Sequence, residues 1–264
     1  MLILQGNNQH AQLVLVRMHK MSNSNGNKRG GQIVKVGQAH EIETALPIAV
    51  IMRTYFSSYH LWAARHFSVL ASNTENEDGK LPRFNIKHRA YVTNAILSGV
   101  AFLEAAINEL FQDIVDGHES YIAALDIDSK RQMSEYWLKK RHALLDKYQK
   151  ALTCLRKQPF NGNHPPYLEA QLVIQLRNAL VHYKPKSFGG GVEHDLAKEL
   201  AGKFMDNRLM NGSGNPWFPD KCLGHGCAEW AVHSATVFAD EFFRRIGVKP
   251  NYQRVEFKPL PNEV

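Results

Sequence analysis

An all-α fold, an up-and-down helical bundle, is what this sequence predicts, and three observations carry that prediction. Apolar residues recur at three- and four-residue steps over residues 86–115, through Ile96, Val100, Leu103, Ile107, Leu110, Phe111 and Ile114. The same period returns over residues 167–183 and 228–246. No stretch alternates polar and apolar residues strongly enough to build a sheet-based core.

Residues 1–44 stand apart from this pattern as an N-terminal appendage. Residues 13–16 and 32–36 read as short strands, separated by a polar, glycine-rich segment over 21–31. The appendage is either poorly ordered or a small two-stranded unit. Met18 and Met21 are both alternative starts of translation, and the sequence does not decide between them. The helical domain is expected over 45–248. Its first helix is expected over 48–70, rich in aromatic residues (Tyr55, Phe56, Tyr59, Trp62, Phe67), with a polar loop over 73–80. The helix over 86–115 ends at Asp116-Gly117. Asp128 is placed to cap a helix over 129–155, whose Lys, Arg and Glu residues predict an exposed face. Pro165-Pro166 opens the helix over 167–183, since proline is tolerated in a first turn. A flexible turn over 188–191, a short helix over 192–204 and a loop over 205–223 lead to the last helix, 228–246. In that helix Trp230, Ala231, Ala235, Phe238, Phe242 and Ile246 should face inward. Residues 249–264 read as a C-terminal tail.

Composition excludes several classes. Apolar content of 44% and charged content of 22% are ordinary for a globular protein. The net charge of +7 fits a polyanionic partner. No apolar run approaches the ~18–20 residues that span a bilayer, the longest candidate (46–52) holding Pro47 and stopping at Arg53, so no membrane association is expected. No secretion signal is legible at the N-terminus. Three cysteines, Cys154, Cys222 and Cys227, form no disulfide framework, and a reducing cytoplasm is the simpler location. Gly189-Gly190-Gly191 lacks the Gly-Lys-Ser/Thr of a phosphate-cradling loop, and no serine-hydrolase or zinc-protease motif occurs.

The stretch Leu176-Arg177-Asn178-Ala179-Leu180-Val181-His182-Tyr183-Lys184-Pro185 carries the chemistry. Pro185 lacks an N–H and biases Lys184 away from the α region, so the helix should end near His182 or Tyr183. The histidine then sits beside unsatisfied carbonyl groups that attract a cation. At ~100° per residue, Leu168, Leu172, Leu176, Ala179, Leu180 and Tyr183 form the core stripe. Gln171, Ile174, Arg177, Asn178, Val181 and His182 form an opposite arc that faces solvent, another element or a second subunit. An arginine and an imidazole without metal ligands beside them suit chemistry on a phosphodiester.

Arg177, Asn178 and, across a four-residue spacer, His182 resemble the signature of the HEPN (higher eukaryotes and prokaryotes nucleotide-binding) superfamily. The run Phe102-Leu103-Glu104-Ala105-Ala106-Ile107-Asn108-Glu109-Leu110-Phe111 is similar to a helix in many HEPN-like proteins. The resemblance covers about residues 45–248, with the Arg-Asn-x3-His motif as its only specific part. It implies a bundle of HEPN type and a metal-independent endoribonuclease without cofactor. Such an enzyme cleaves single-stranded RNA to 2′,3′-cyclic phosphate ends at a composite site in a homodimer. His182 would then move protons, Arg177 would stabilise charge on the phosphoryl oxygens, and Asn178 would orient the phosphate or His182. A role in antiviral defence or a toxin–antitoxin pair, with an antitoxin or nucleotidyltransferase partner, belongs to the same implication. Some HEPN proteins carry a modifiable tyrosine two residues after the histidine; here that position is Lys184. The alternative is a HEPN-like module that binds RNA, a nucleotide or a protein without cutting.

Four further groups complete the candidates. Glu104 and Asn108, one turn apart, could pair with Arg177 from the edge of the core, or be a solvated flank. Tyr183 is expected in the core. Cys222, His225 and Cys227 lie within six residues, a spacing compatible with a zinc-stapled structural protein but, more simply, with a glycine-rich helix start. Lys139, Lys140, Arg141, Lys147 and Lys150 read as a solvated helix face able to contact a nucleic-acid backbone.

Overall fold

A computed structural model describes residues 12–15, 50–77, 79–118, 122–139, 142–185 and 194–254. The chain divides into two units, Met1–Thr54 and Tyr55–Val264. In the first, strand β1 (Gln12–Leu15) pairs antiparallel with β2 (Val50–Arg53), Leu13 opposite Met52 and Val14 opposite Ile51. The strand expected over 13–16 is therefore present, shifted by one residue. Its partner is not the 32–36 segment, which lies outside the described residues, but 50–53, expected in the first helix. A short apolar run of this kind carries no period that separates strand from helix. The segments 21–31 and 188–191 also lie outside the described residues.

Among its described residues the second unit has helices and no strand. Helix α1 (Phe56–Asn76) starts eight residues later than expected. Its first turn is fixed from outside: the Ser57 N–H and hydroxyl donate to the two carboxylate oxygens of Glu109 at 2.7 and 2.6 Å. A carboxylate there satisfies orphan amides and meets the positive end of the helix dipole. Burial nevertheless pushes the Glu109 carboxyl up, against the opposing pull of the Ser57 hydrogen bonds.

Helix α2 (Ile86–Val115) matches its expected bounds and is capped by the Asn85 side chain, which accepts from the His88 N–H at 3.1 Å. It is the centre of the bundle. Val92, Ile96, Phe102, Leu103, Ile107, Leu110 and Phe111 are fully buried against α1 and four helices described below. Among the described residues it is also the one helix long and apolar enough to cross a membrane, contrary to the expectation that no such segment exists. Its neighbours in the bundle account for that apolarity.

The helix expected over 129–155 is two helices, α3 (Ile127–Trp137) and α4 (Leu144–Cys154). The cap is Asp126, not Asp128: its carboxylate accepts from the Ser129 N–H at 2.9 Å and from the Ser129 hydroxyl at 2.7 Å. In α4 the fully buried Tyr148 donates its hydroxyl to the Leu103 carbonyl at 2.8 Å. That bond satisfies the one polar atom of a ring otherwise packed edge-on against Phe238 and Phe242.

Helix α5 (Tyr167–Val181) packs on α2, as their matching apolar stripes predict, and also on α7 (His225–Ile246). The short α6 (Asp195–Leu200) occupies part of the expected 192–204 helix. Ala231, Ala235, Phe238, Phe242 and Ile246 of α7 are buried as expected, while Trp230 is half-buried and donates its Nε1–H to Glu169 at 2.8 Å. The residues after α7, read as a tail, still belong to the core at their start: Tyr252 is buried edge-on to Phe102.

Candidate functional site

The site is built on the last two turns of α5. Its buried face is Ala170, Leu172, Val173 and Leu176, with Leu168, Ala179 and Leu180 half-buried beside them. The core stripe thus holds, but its predicted last member does not: Tyr183 is 43% exposed. The reason is the helix end. Val181 closes α5 and His182 is the C-cap at φ −102°, ψ 29°, so Tyr183 no longer follows the helical period. The His182 N–H still donates to the Asn178 carbonyl at 2.9 Å, which holds the last turn together.

On the opposite arc, Asn178 and His182 are exposed, and Val181 is 54% exposed. Ile174 differs from expectation: it is half-buried and packs against the core instead of standing free. Arg177 lies between these regimes. On an ideal helix it stands over Val173 and Ala170, i−4 and i−7 on the same side, both buried. Its stem is therefore partly covered, and its Nε is shielded from solvent with no hydrogen-bond partner. Several other cations are claimed by acids: Arg89 by Asp220 at 2.7 Å, Lys203 by Glu169 at 2.8 Å, and Arg244 and Arg245 by Glu241 at 2.7 and 2.8 Å. Among the described residues Arg177 has no such pair.

Glu104 and Asn108 do not join this site. Both turn to Lys147 of α4: its ammonium donates to the Glu104 carboxylate and, at 2.9 Å, to the Asn108 amide oxygen. Lys147, expected on a solvated face, is only 6% exposed and lies 5.5 Å from the centre of the Trp137 ring. Lys139 and Lys150 are exposed as expected, while Lys140 and Arg141 lie outside the described residues.

The Cys222, His225, Cys227 group is a helix start. His225 places Nδ1 3.2 Å from the Ser68 carbonyl oxygen, and its N–H donates to Glu75 at 2.6 Å. Both thiols are reduced and buried, and burial together with the neighbouring Cys222 pushes the Cys227 thiol well up, which suits inert packing. Among the described residues no three His, Cys, Asp or Glu side chains meet in a geometry that could hold a metal ion. The glycines are needed sterically. A Cβ on Gly224 would stand 2.5 Å from the Asn207 Cα, and one on Gly226 would stand 2.6 Å from the Met205 carbonyl oxygen.

Sequence reasoning missed one buried polar network. Glu75 at the end of α1 accepts from the His225 N–H at the start of α7, and lies 2.8 Å from Nε2 of His88, itself 1% exposed. Burial works to raise the Glu75 carboxyl, but the bonds from His88 and His225 outweigh it and hold the group below its ordinary value. Glu75 and His225 are 150 positions apart, and no local pattern marks them.

Comparison with protein-family models, curated proteins and solved structures finds no match to this chain.

Proposed function

We propose that the protein is a metal-independent endoribonuclease of the HEPN type, working as a homodimer in which two copies of the α5 end form one composite site. The observation that carries this reading is Arg177: a cation left without an acidic partner among the described residues, next in the chain to the exposed Asn178 and five residues before the exposed His182 at the end of the same helix. A buried N–H without a partner costs about 1–3 kcal/mol, and the Arg177 Nε–H is in that state, so the side chain gains from an anion that draws it into a hydrogen bond. Phosphate is one of the two anions, with carboxylate, that its planar fork matches in two-pronged fashion.

In the proposed reaction the ribose 2′-oxygen attacks the adjacent phosphorus and the bond from phosphorus to the 5′-oxygen breaks. His182 takes the 2′-hydroxyl proton, and a protonated His182 of the other copy delivers one to the departing 5′-oxygen. Imidazole exchanges protons near neutrality, which suits it to both tasks. Arg177 stabilises the negative charge gathering on the equatorial oxygens. Asn178, on the exposed face beside them, orients the phosphate.

Purified full-length protein should cut single-stranded RNA in EDTA and leave 2′,3′-cyclic phosphate ends, with DNA resistant because it lacks the 2′-hydroxyl. His182→Ala should slow cleavage by ~10²–10⁴-fold, and Arg177→Ala should do comparable harm. Both should stay folded, since His182 is exposed and only part of the Arg177 side chain is covered. Inert wild type, or a His182→Ala protein that cuts at the wild-type rate, would replace this reading by a non-catalytic binding module.

A further inference from the structure

We infer that Tyr183 is a stacking platform for the nucleobase next to the scissile phosphate, so that the protein engages single-stranded RNA by base as well as by backbone. The inference rests on the endoribonuclease reading and extends it to how substrate is held. Three observations support it.

The first is position. Tyr183 follows His182 directly, on the irregular segment that leaves the end of α5. A base attached to a phosphate held by Arg177 and His182 is within reach of a side chain that adjoins His182 in the chain.

The second is that the ring is unclaimed. Sequence periodicity assigns Tyr183 to the core, yet the helix ends two residues earlier and leaves the ring 43% exposed. The protein's other aromatic residues include many tightly paired rings, such as Tyr148 on Phe238 and Phe111 on Trp137. Among the described residues Tyr183 has no ring partner, and its hydroxyl makes no hydrogen bond. An aromatic side chain left open beside exposed polar groups is the arrangement by which proteins stack the splayed bases of single-stranded RNA.

The third is stiffness. Pro185 restricts Lys184 to extended conformations, and the His182 N–H is tied back to Asn178. The Tyr183 backbone is thus held between a helix end and a proline-restricted residue, so little order remains to be gained on binding. Lys184, the next residue in the chain, is also exposed and supplies a cation for a neighbouring phosphate. Because a larger π-face stacks more strongly, a purine should be favoured at this position.

The test is a binding cycle in the non-cutting His182→Ala background. Fluorescence anisotropy would be read with a short RNA carrying adenosine or an abasic site at the nucleotide beside the cleavage position. Tyr183→Ala should weaken binding of the adenosine RNA about 5- to 100-fold, the usual scale for one lost base–aromatic stack. It should leave binding of the abasic RNA nearly unchanged, and Tyr183→Phe should restore wild-type affinity. In the active protein, Tyr183→Ala should raise KM more than it lowers kcat. Equal loss on both RNAs, no loss on either, or a Tyr183→Ala protein whose sedimentation shows a changed oligomeric state would overturn the inference. Failure of the endoribonuclease reading is visible separately: wild type then does not cut, while the same cycle run with oligoadenosine against its fully abasic counterpart, which needs no cleavage position, still reports whether a base is stacked.

Discussion

The Lys147–Glu104 pair offers the most direct test of how this bundle is held together, because the sequence suggests a different partner for Glu104. The perturbation is a double-mutant cycle of Lys147→Met and Glu104→Gln, with a second cycle pairing Glu104→Gln with Arg177→Met. The Lys147 side chain is 8% exposed and that of Glu104 40% exposed. Breaking a fully buried ion pair costs about 3–5 kcal/mol, and an exposed pair contributes about 0.2–1 kcal/mol. The two single variants should differ accordingly. Lys147→Met leaves a carboxylate that water can reach, so about 2 kcal/mol is expected. Glu104→Gln leaves a nearly dry ammonium with only the Asn108 oxygen and the Trp137 ring, so about 3 kcal/mol is expected. Their coupling should be about 1–2 kcal/mol, while Glu104 and Arg177 should be additive within about 0.5 kcal/mol. Urea unfolding followed by circular dichroism supplies all these numbers if the slopes stay constant. A Glu104–Lys147 coupling below about 0.5 kcal/mol, or an equal coupling to Arg177, would refute the reasoning.

Gly226→Ala should destabilise the protein by about 1–3 kcal/mol, because its Cβ would collide with the Met205 backbone, which cannot swing aside as a side chain would. Gly214→Ala, with open space around it, should stay within about 0.5 kcal/mol in the same denaturation assay. Glu75, whose folded carboxyl is held below the ordinary 4.5, stabilises the fold above that pH and loses the contribution as pH falls through its lowered value. Glu75→Gln should therefore lower stability at pH 7 and flatten the acid limb below pH 4.5 in a stability–pH profile; an unchanged acid limb would count against it. Glu241, gripped by Arg244 first and Arg245 second, should titrate at about 2 in a carboxyl NMR titration, and an ordinary value would show that the grip does not persist in solution.

How far the sequence could be read follows from what each residue answers to. Helix α2 and the end of α5 were legible because a 3.6-residue apolar period and a proline act locally. The stretch 50–53 was not, since four apolar residues fit a strand as well as a helix turn. The break between α3 and α4 was hidden because charged residues continue through it without a glycine or proline. Arg177 and His182 stand at the helix end where the spacing put them. The position of Tyr183 follows from the helix stopping at Val181, a difference of one or two residues that period alone cannot resolve. The destination of Glu104 depended on Lys147, 43 positions away, and long side chains with charged heads give no sign in sequence of which way they turn.

The two carboxylates that start helices from afar have a consequence for how the molecule assembles. Glu109 supplies the first turn of α1 from the C-terminal third of α2, and Glu75 supplies that of α7 from the end of α1. Neither α1 nor α7 carries its own side-chain cap. Each of these helices therefore acquires a fixed beginning only when another, already formed, docks against it. A fragment that stops short of residue 225 would leave Glu75 buried beside His88 without the amide it serves. Such a fragment should fray at the end of α1 instead of behaving as a smaller stable bundle. Cooperativity here is written into helix starts: α1, α2 and α7 should gain protection from hydrogen exchange together, as one unit.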